Sequence, residues 1–356
     1  MKRVDEKALE RRAVPWRGGW LPSTFFSACL MGLLLCATSG MATGHGPFAL
    51  IRAIWEGSWG SVDAAITTLA KMTPLLLTGL AVAVAWRVNL LNIGCEGQLT
   101  LGALAAATFA LQAESLPSWA LIPLSAAVGA AIGALWSWPA VALKHFRGTH
   151  EVITTLILNY IATYLAEYLV LGPLGDGSAM GRTAQIPSGA VLKPVLSMGV
   201  PVAPFAGVLL CLVVQAWLSR NVWGYEVTVV GINRVAAETS GINARGWERR
   251  IFLFSGALAG MAGAIEVLGV HHRFYRAFSA GYGFDGVTTA FLVQGLPGML
   301  WLSALLMASL RAADKWLQLA LGVSPNMILV IQAGVLLAAV CRPAAVFFRR
   351  GRVPWK

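Results

Sequence analysis

Asn92-Ile93-Gly94-Cys95-Glu96-Gly97-Gln98 stands at the head of an apolar run from Leu99 to Leu111. A carboxylate, two amides and two glycines interrupt what is otherwise membrane-compatible sequence. An ionisable group inside a membrane segment is costly, so it faces a protein interior or a watery path. Glycines let the backbone unwind or let a neighbouring helix approach closely. The stretch reads as a break at the mouth of a membrane helix, lining something polar.

The rest of the chain places that helix in a bilayer. Hydrophobic residues make up 57% of its 356 residues and charged ones 12%, with a mean hydropathy of +0.68. A soluble domain carries about 25% charged residues. At about 20 residues per span plus loops, the length allows about eight to ten helices. No stretch is long and polar enough for a soluble domain. The expected fold class is all-α, a polytopic membrane protein of about ten transmembrane helices. The net charge of +11 comes from lysine and arginine at loops beside spans, the ordinary membrane pattern; no nucleic-acid partner is expected, and membrane lipids are. Cys29, Cys36, Cys95, Cys211 and Cys341 lie in or beside apolar stretches without metal-type spacing, and read as small apolar residues.

A basic arm, 1–19, precedes an apolar run that reads as a retained first helix, 20–42. Residues 47–60 carry Phe48, Ile51, Trp55 and Trp59 near helical spacing, an interfacial-helix pattern. Further spans are expected at 64–86, 91–111, 119–143, 150–171, 201–219, 251–270, 284–296, 298–313 and 325–347. The pair 284–296 and 298–313, split by Gly295-Leu296-Pro297-Gly298, is short enough to be re-entrant. The membrane domain is expected over 20–347, with a tail at 348–356. With the N-terminus inside and alternating spans, inner segments hold 19 of the 27 Lys and Arg, outer ones hold 7, and Lys71 lies within a span. That bias places both termini in the cytoplasm.

The opening stretch recurs. Gly94-Cys95-Glu96-Gly97 with Thr100 matches Gly283-Phe284-Asp285-Gly286 with Thr289. Thr78-Gly79-Leu80-Ala81 precedes the first copy and Ser255-Gly256-Ala257-Leu258 the second; Thr149-His150-Glu151-Val152-Ile153 and Ser324-Pro325-Asn326-Met327-Ile328 follow in the same order. The charge-derived topology starts one copy at the inner face and the other at the outer. Two inverted repeats, about 64–171 and 251–347, are therefore expected, with a substrate path between them.

The polar groups singled out for that path or for starting its helices are Asn92, Glu96, Gln98, His150, Glu151, Asn159, Asp285, Thr289 and Asn326. Thr149 is an N-cap candidate, and Glu151 suits the first turn of a helix. Lys71, Glu167 and Glu266 fall near outer ends of spans, where snorkelling is expected. There is no HExxH, no GxSxG and no Cys–His pairing, so no catalytic residue and no metal site is assigned. In the inner loop 220–250, Asn233 can cap a short helix Arg234–Ser240 and Gly241 can end it. An ordinary basic loop reads the same way, but a capped helix between two membrane halves also suits docking of a cytosolic partner. No GxxxxGK[ST] is present, so this chain does not cradle ATP in the P-loop manner.

Asn92-Ile93-Gly94-x-Glu96-Gly97-Gln98, Gly148-Thr149-His150-Glu151-Val152-Ile153-Thr154-Thr155-Leu156-x-Leu158-Asn159-Tyr160 and Gly231-Ile232-Asn233-x-x-Ala236-Ala237-x-x-x-Gly241-Ile242 resemble the bacterial ABC importer permeases for nucleosides and simple sugars. That family is related to the ribose and branched-chain amino-acid permeases, and the resemblance covers about residues 64–342. It implies a vitamin-B12-permease-like fold in the bacterial inner membrane and a second permease subunit. It also implies ABC ATPase subunits and an extracytoplasmic substrate-binding protein, with no cofactor in this chain. It implies that the helix at 232–241 couples to the ATPase through Gly231, Asn233, Ala236, Ala237, Glu238 and Gly241. The sequence departs from the family at Glu238-Thr239-Ser240, where a more basic or aromatic run is expected. On this reading the chain does no chemistry and moves solute by alternating access. The rival is an ion-coupled secondary transporter with Glu96 and Asp285 as its ion sites.

Overall fold

A computed structural model describes residues 21–42, 44–178, 180–193, 199–322, 324 and 326–350. The expected basic arm and the end of the tail lie outside them. Thirteen α-helices follow in order: α1 (Leu21–Ala42), α2 (Ala49–Trp59), α3 (Val62–Trp86), α4 (Cys95–Gln112), α5 (Ser118–Arg147), α6 (Glu151–Leu171), α7 (Ala203–Arg220), α8 (Val222–Ile232), α9 (Arg234–Thr239), α10 (Ala244–Glu266), α11 (Tyr282–Leu292), α12 (Leu300–Leu321) and α13 (Asn326–Arg350). No strand forms among the described residues, only an isolated bridge between Arg182 and Tyr275.

Every segment expected to span is helical, but the helices are less uniform than ten simple spans. Among the described residues five are long and apolar enough to cross a bilayer: α3, α5, α6, α7 and α10 with its extension to His271. The two segments around Gly295–Gly298 form a bent pair, 104° apart, that adds a sixth if counted as one span. Shorter apolar helices cover Phe25–Met41, Val222–Ile232 and Asn326–Val340. The first turn of α4 carries Glu96 and Gln98 and α12 carries Arg311, Asp314 and Lys315, so neither is uniformly apolar. Two departures fall in the 220–250 stretch. An additional helix, α8, forms there, and α10 begins at Ala244, seven residues before the expected span.

The chain divides into two compact units. The larger holds residues 66–290 and 295–308. At its centre α4 is buried at nearly every position from Cys95 to Ala107. Around it, α5 and α10 cross through two facing small-residue motifs, Gly129-x-x-x-Gly133 and Gly256-x-x-x-Gly260. A Cβ on Gly256 would stand 2.6 Å from the Gly133 carbonyl oxygen, and one on Gly102 of α4 would stand 2.5 Å from the Gly260 Cα. Only glycine lets these backbones touch, the usual way lipid-embedded helices gain packing without a hydrophobic driving force. Pro74, Pro123 and Pro139 lie inside α3 and α5. The Thr78 hydroxyl donates to the Pro74 carbonyl, 2.7 Å away, the bond back to the preceding turn that threonines make within helices.

The smaller unit holds the described residues up to 65, residues 291–294 and those from 309 onward. In it α1 packs along α13, with Gly32 against Val335. The amphipathic α2, preceded by the exposed Phe48, exposes Trp55 and lays Gly57 against Trp316. The Trp59 indole N–H donates to the Ser309 hydroxyl at 3.1 Å. Its apolar face is therefore partly covered by protein.

Candidate functional site

The break that opens α4 is held by side chains from three helices of the larger unit. Asn92 is fully buried. Its amide N–H groups donate to Gln98 Oε1 (2.9 Å) and Ser255 Oγ (2.8 Å), and its Oδ1 accepts from the Gly94 N–H (3.0 Å) and Gln98 Nε2 (3.2 Å). The Ser255 hydroxyl donates in turn to the Ala81 carbonyl of α3 at 2.6 Å. Asn159 of α6 clamps the same turn from the other side. Its Oδ1 accepts from the Gly97 N–H at 2.9 Å, and its Nδ2 donates to the Ile93 carbonyl at 2.9 Å. The first N–H groups of a helix have no partner within it, and here one from α4 is satisfied by a neighbouring helix. Buried polar groups are tolerable when bonded in this way. Gly97 is required because a Cβ there would stand 2.8 Å from the Ala162 Cβ.

Glu96 turns away from this cluster. Its Oε2 accepts from the Gly283 N–H at 2.8 Å and its Oε1 from the Gly281 N–H at 3.2 Å. The carboxylate thus caps α11, where the helix dipole favours negative charge. The two related glycine-acid-glycine stretches, expected at opposite membrane faces, are therefore in contact. Gly283 and Glu96 abut so closely that no side chain fits on the glycine, and Gly286 lies against Thr78. An eleven-residue α11 followed by a sharp bend is too short to carry its start to the far surface. Thr289 is buried, packs against Gly79, and donates its hydroxyl to the Asp285 carbonyl at 2.8 Å. Asp285 is half-buried in the first turn of α11.

A second cluster gathers around α9. The Asn233 Oδ1 accepts from the Ala236 N–H at 3.1 Å. At the other end Gly241 adopts φ +81°, and the Ile242 N–H reaches the Ala237 carbonyl at 3.0 Å, the left-handed termination that favours glycine. Ala237 is buried, while Ala236, Glu238 and Val235 are exposed. Gly231 lies against the Arg87 carbonyl with no room for a side chain, so the elbow before α9 rests on the backbone leading into the Asn92 break.

Sequence patterns did not single out the residue that ties α9 to the membrane helices. Glu248 is 4% exposed. Its Oε1 lies 3.2 Å from Arg234 Nη1 of α9 and its Oε2 lies 2.8 Å from His145 Nε2 at the end of α5. Arg234 also pairs with Glu238 at 3.1 Å. Nearby, Lys144 meets Glu151 at 2.6 Å, joining α5 to α6. The N-cap of α6 is His150, whose Nδ1 accepts from the Val152 N–H at 3.3 Å; Thr149, the expected cap, instead accepts from the Thr154 hydroxyl. Glu151 thus pairs with Lys144 one turn before Thr155, which packs against Gly94 of the break. Asn326 is exposed at the start of α13 in the smaller unit.

Two acids expected to snorkel have protein partners. Glu167 pairs with Arg276 at 3.1 Å. Glu266 is 3% exposed and lies 3.3 Å from His271 Nε2, at a π-helical turn over Val267–His271. Among the described residues no group of three His, Cys, Asp or Glu is placed to hold a metal. The loop 272–281 folds over the start of α11, with Phe274 and Phe278 stacked at 5.0 Å between centroids. Backbone bonds from Thr183 to Phe274 and from Ile186 to His272 seat the 181–192 loop beside it.

This is a helical membrane scaffold whose buried polar groups secure breaks between helices. Residues 64–340 match the family described as branched-chain amino acid transport system / permease component. The chain belongs to that family and is a multi-pass permease of the ABC transporter kind, with ATP hydrolysis left to a separate subunit. It is 31% identical to the guanosine ABC transporter permease protein NupP of Bacillus subtilis (strain 168), over 92% of this chain and 95% of that one. It is 34% identical to the glucose ABC transporter permease protein TsgB13 of Haloferax volcanii, over 80% and 77%. Identity to the nucleoside ABC transporter permease protein NupB of Lactococcus lactis subsp. cremoris (strain MG1363) is 29%, over 87% and 88%.

Proposed function

We propose that this chain is one permease subunit of an ATP-driven importer of nucleosides or simple sugars in a bacterial inner membrane, with both termini cytoplasmic. A second permease subunit completes the path, an extracytoplasmic binding protein delivers solute, and ATPase subunits dock on α9. The observation that carries the ATP-driven mechanism is the route from α9 into the membrane. Arg234, Glu248 and His145 join the exposed helix to α10 and α5, and Gly231 rests on the backbone before Asn92. Movement of α9 by a closing ATPase pair would therefore reach α5, α10 and the α4 break together, as alternating access requires. Similarity along nearly the whole chain to permeases named for guanosine and nucleosides supports the solute class, and the glucose relative keeps simple sugars within it.

The ion-coupled reading gains nothing from the geometry, since both Glu96 oxygens accept backbone N–H bonds at the start of α11. The deciding experiment is uptake of labelled guanosine and glucose by cells lacking and regaining this chain, with and without its ATPase. Uptake of one solute that needs both chain and ATPase is the expected result. Uptake indifferent to the chain refutes the solute, and uptake that outlives the ATPase but collapses with the ion gradient refutes the mechanism.

A further inference from the structure

The exposed face of α6 differs from that of α7. On α7 the outward residues are Phe205, Leu209, Leu212 and Val213. Such side chains carry no polar atom and suit lipid tails. On α6, Tyr160, Tyr164 and Tyr168 are 67%, 67% and 70% exposed, beside the exposed aliphatic Ile157, Ile161 and Leu165. Spaced four residues apart, they form one stripe along the helix. None of their hydroxyls makes a hydrogen bond among the described residues.

Their depth makes this stripe informative. The span Glu151–Leu171 has 21 residues, or about 31 Å of helix, close to the hydrocarbon thickness of about 30 Å. Tyr168 falls near one end, where interfacial tyrosines are ordinary. Tyr160 and Tyr164 fall within about 5 Å of the middle. Side chains lean toward the helix N-terminus, which brings the Tyr164 hydroxyl back toward the centre, away from the nearer surface. A phenol there has no water if it faces lipid, and an unbonded hydroxyl in hydrocarbon is costly.

The stripe also adjoins a polar recess. Thr163 and Glu167, its helical neighbours, line a cavity of about 30 Å³ with Glu96, Thr100, Arg276 and Ser279. The Ser279 hydroxyl has no partner there. A lipid-facing surface has no use for such a recess, whereas a wet one does.

We propose that Tyr160, Tyr164 and Tyr168 line the aqueous translocation path and form a ladder of ring platforms for the solute. A nucleoside base or a sugar ring offers a flat, weakly polar face to stack on a phenol and a polar edge for the hydroxyls and the recess. This site rests on the reading of the chain as an importer of ring-bearing solutes. The ladder supplies weak, successive contacts, which suits passage better than a single tight site.

The test uses membrane vesicles holding the whole transporter. Tyr164→Cys is compared with Leu209→Cys on α7, with the parent chain giving the background from its own thiols. The probe is a membrane-impermeant, negatively charged methanethiosulfonate. It reacts with thiolates, so a thiol in water should react about tenfold or more faster than one in lipid. Faster modification at 164 than at 209, slowed by guanosine or by glucose, is the expected result; the solute that protects identifies the ring class. Equal and slow modification at both positions overturns the proposal, because the face is then in lipid. Spontaneous disulfide linkage through position 164 between two chains, without modification by the probe, also overturns it, because the face is then a dry interface. Tyr164→Phe should keep most uptake, while Tyr164→Leu should lose it several-fold through a raised KM. If the unaltered transporter takes up neither solute, the solute assignment fails while the labelling still decides whether the face is wet.

Discussion

Replacing Glu96 by glutamine tests whether the carboxylate at the centre of this protein fastens one helix to another. Glutamine keeps the shape of the side chain, which is 8% exposed. It keeps one acceptor and turns the other oxygen into a donor. One of the two N–H groups, on Gly281 at 3.2 Å or Gly283 at 2.8 Å, then faces an NH2 group and loses its bond. The remaining bond changes from charged to neutral. A hydrogen bond to a charged group contributes about 1.5–3 kcal/mol and a neutral one about 1. Losing one and weakening the other costs about 3 kcal/mol, with a few tenths more from the charge at the helix start. Glu96→Ala removes both bonds and opens a small void, for a cost of about 4 kcal/mol. The assay is reversible unfolding of the purified chain in mixed micelles, followed by tryptophan fluorescence, beside uptake in vesicles. Expected is a loss of stability for both variants with alanine the worse. A Glu96→Gln protein within about 0.5 kcal/mol of the parent, the range of an indifferent surface change, would refute the capping role. Were uptake then also to lose its dependence on an ion gradient, the ion-site reading would replace it.

Further expectations follow from other contacts. Gly256→Ala places a Cβ 2.6 Å from the Gly133 carbonyl oxygen. The α5–α10 crossing must then open by about 0.8 Å, costing about 1–3 kcal/mol, while Gly46→Ala meets nothing within 4 Å and should leave thermal unfolding unchanged. Glu248→Gln should leave the chain folded and bound to its ATPase but lower solute moved per ATP several-fold; an unchanged ratio in reconstituted vesicles would remove Glu248 from the coupling route. Gly241→Val forces a branched residue into φ +81° and should disturb the end of α9, seen as weakened ATPase co-purification. In the 172–187 loop, the Ser178 hydroxyl and N–H, then Arg182, hold the Asp176 carboxyl at about 2, below its ordinary 3.8. A depressed carboxyl stabilises the loop fully above its ordinary value, and that contribution is lost as the pH falls through about 2. Pepsin cleavage within the loop should therefore rise between pH 4 and 2, and Asp176→Asn should be cleaved readily at both.

Much of the scaffold was legible in the chain because membrane helices are announced by composition. Each apolar run became a helix, and Asn233 and Gly241 marked α9 by cap chemistry that acts within a few residues. The helix α8 was hidden because its eleven residues, though apolar, are too few for a span and lie between Arg220 and Arg234, and the start of α10 was hidden by Arg245, Arg249 and Arg250. Charge counting sets which side a loop favours, but it does not report depth. It therefore separated Gly94–Gly97 from Gly283–Gly286, which the fold brings together.

By itself the sequence determined that the chain lives in a membrane, that its helix at Asn92–Gln98 starts with a polar break, and that this break has a counterpart 189 residues later. These are properties of local composition and spacing. Only the tertiary structure decided what the polar groups do. Asn159 bonds the Gly97 N–H from a helix 62 residues away, Ser255 holds Asn92 across 163, and Glu96 caps a helix across 187. A hydrogen bond depends on distance and angle in space. Sequence separation carries no record of which distant donor will arrive, so a carboxylate that looks like a site in the chain proves, once folded, to be a fastening between two helix starts.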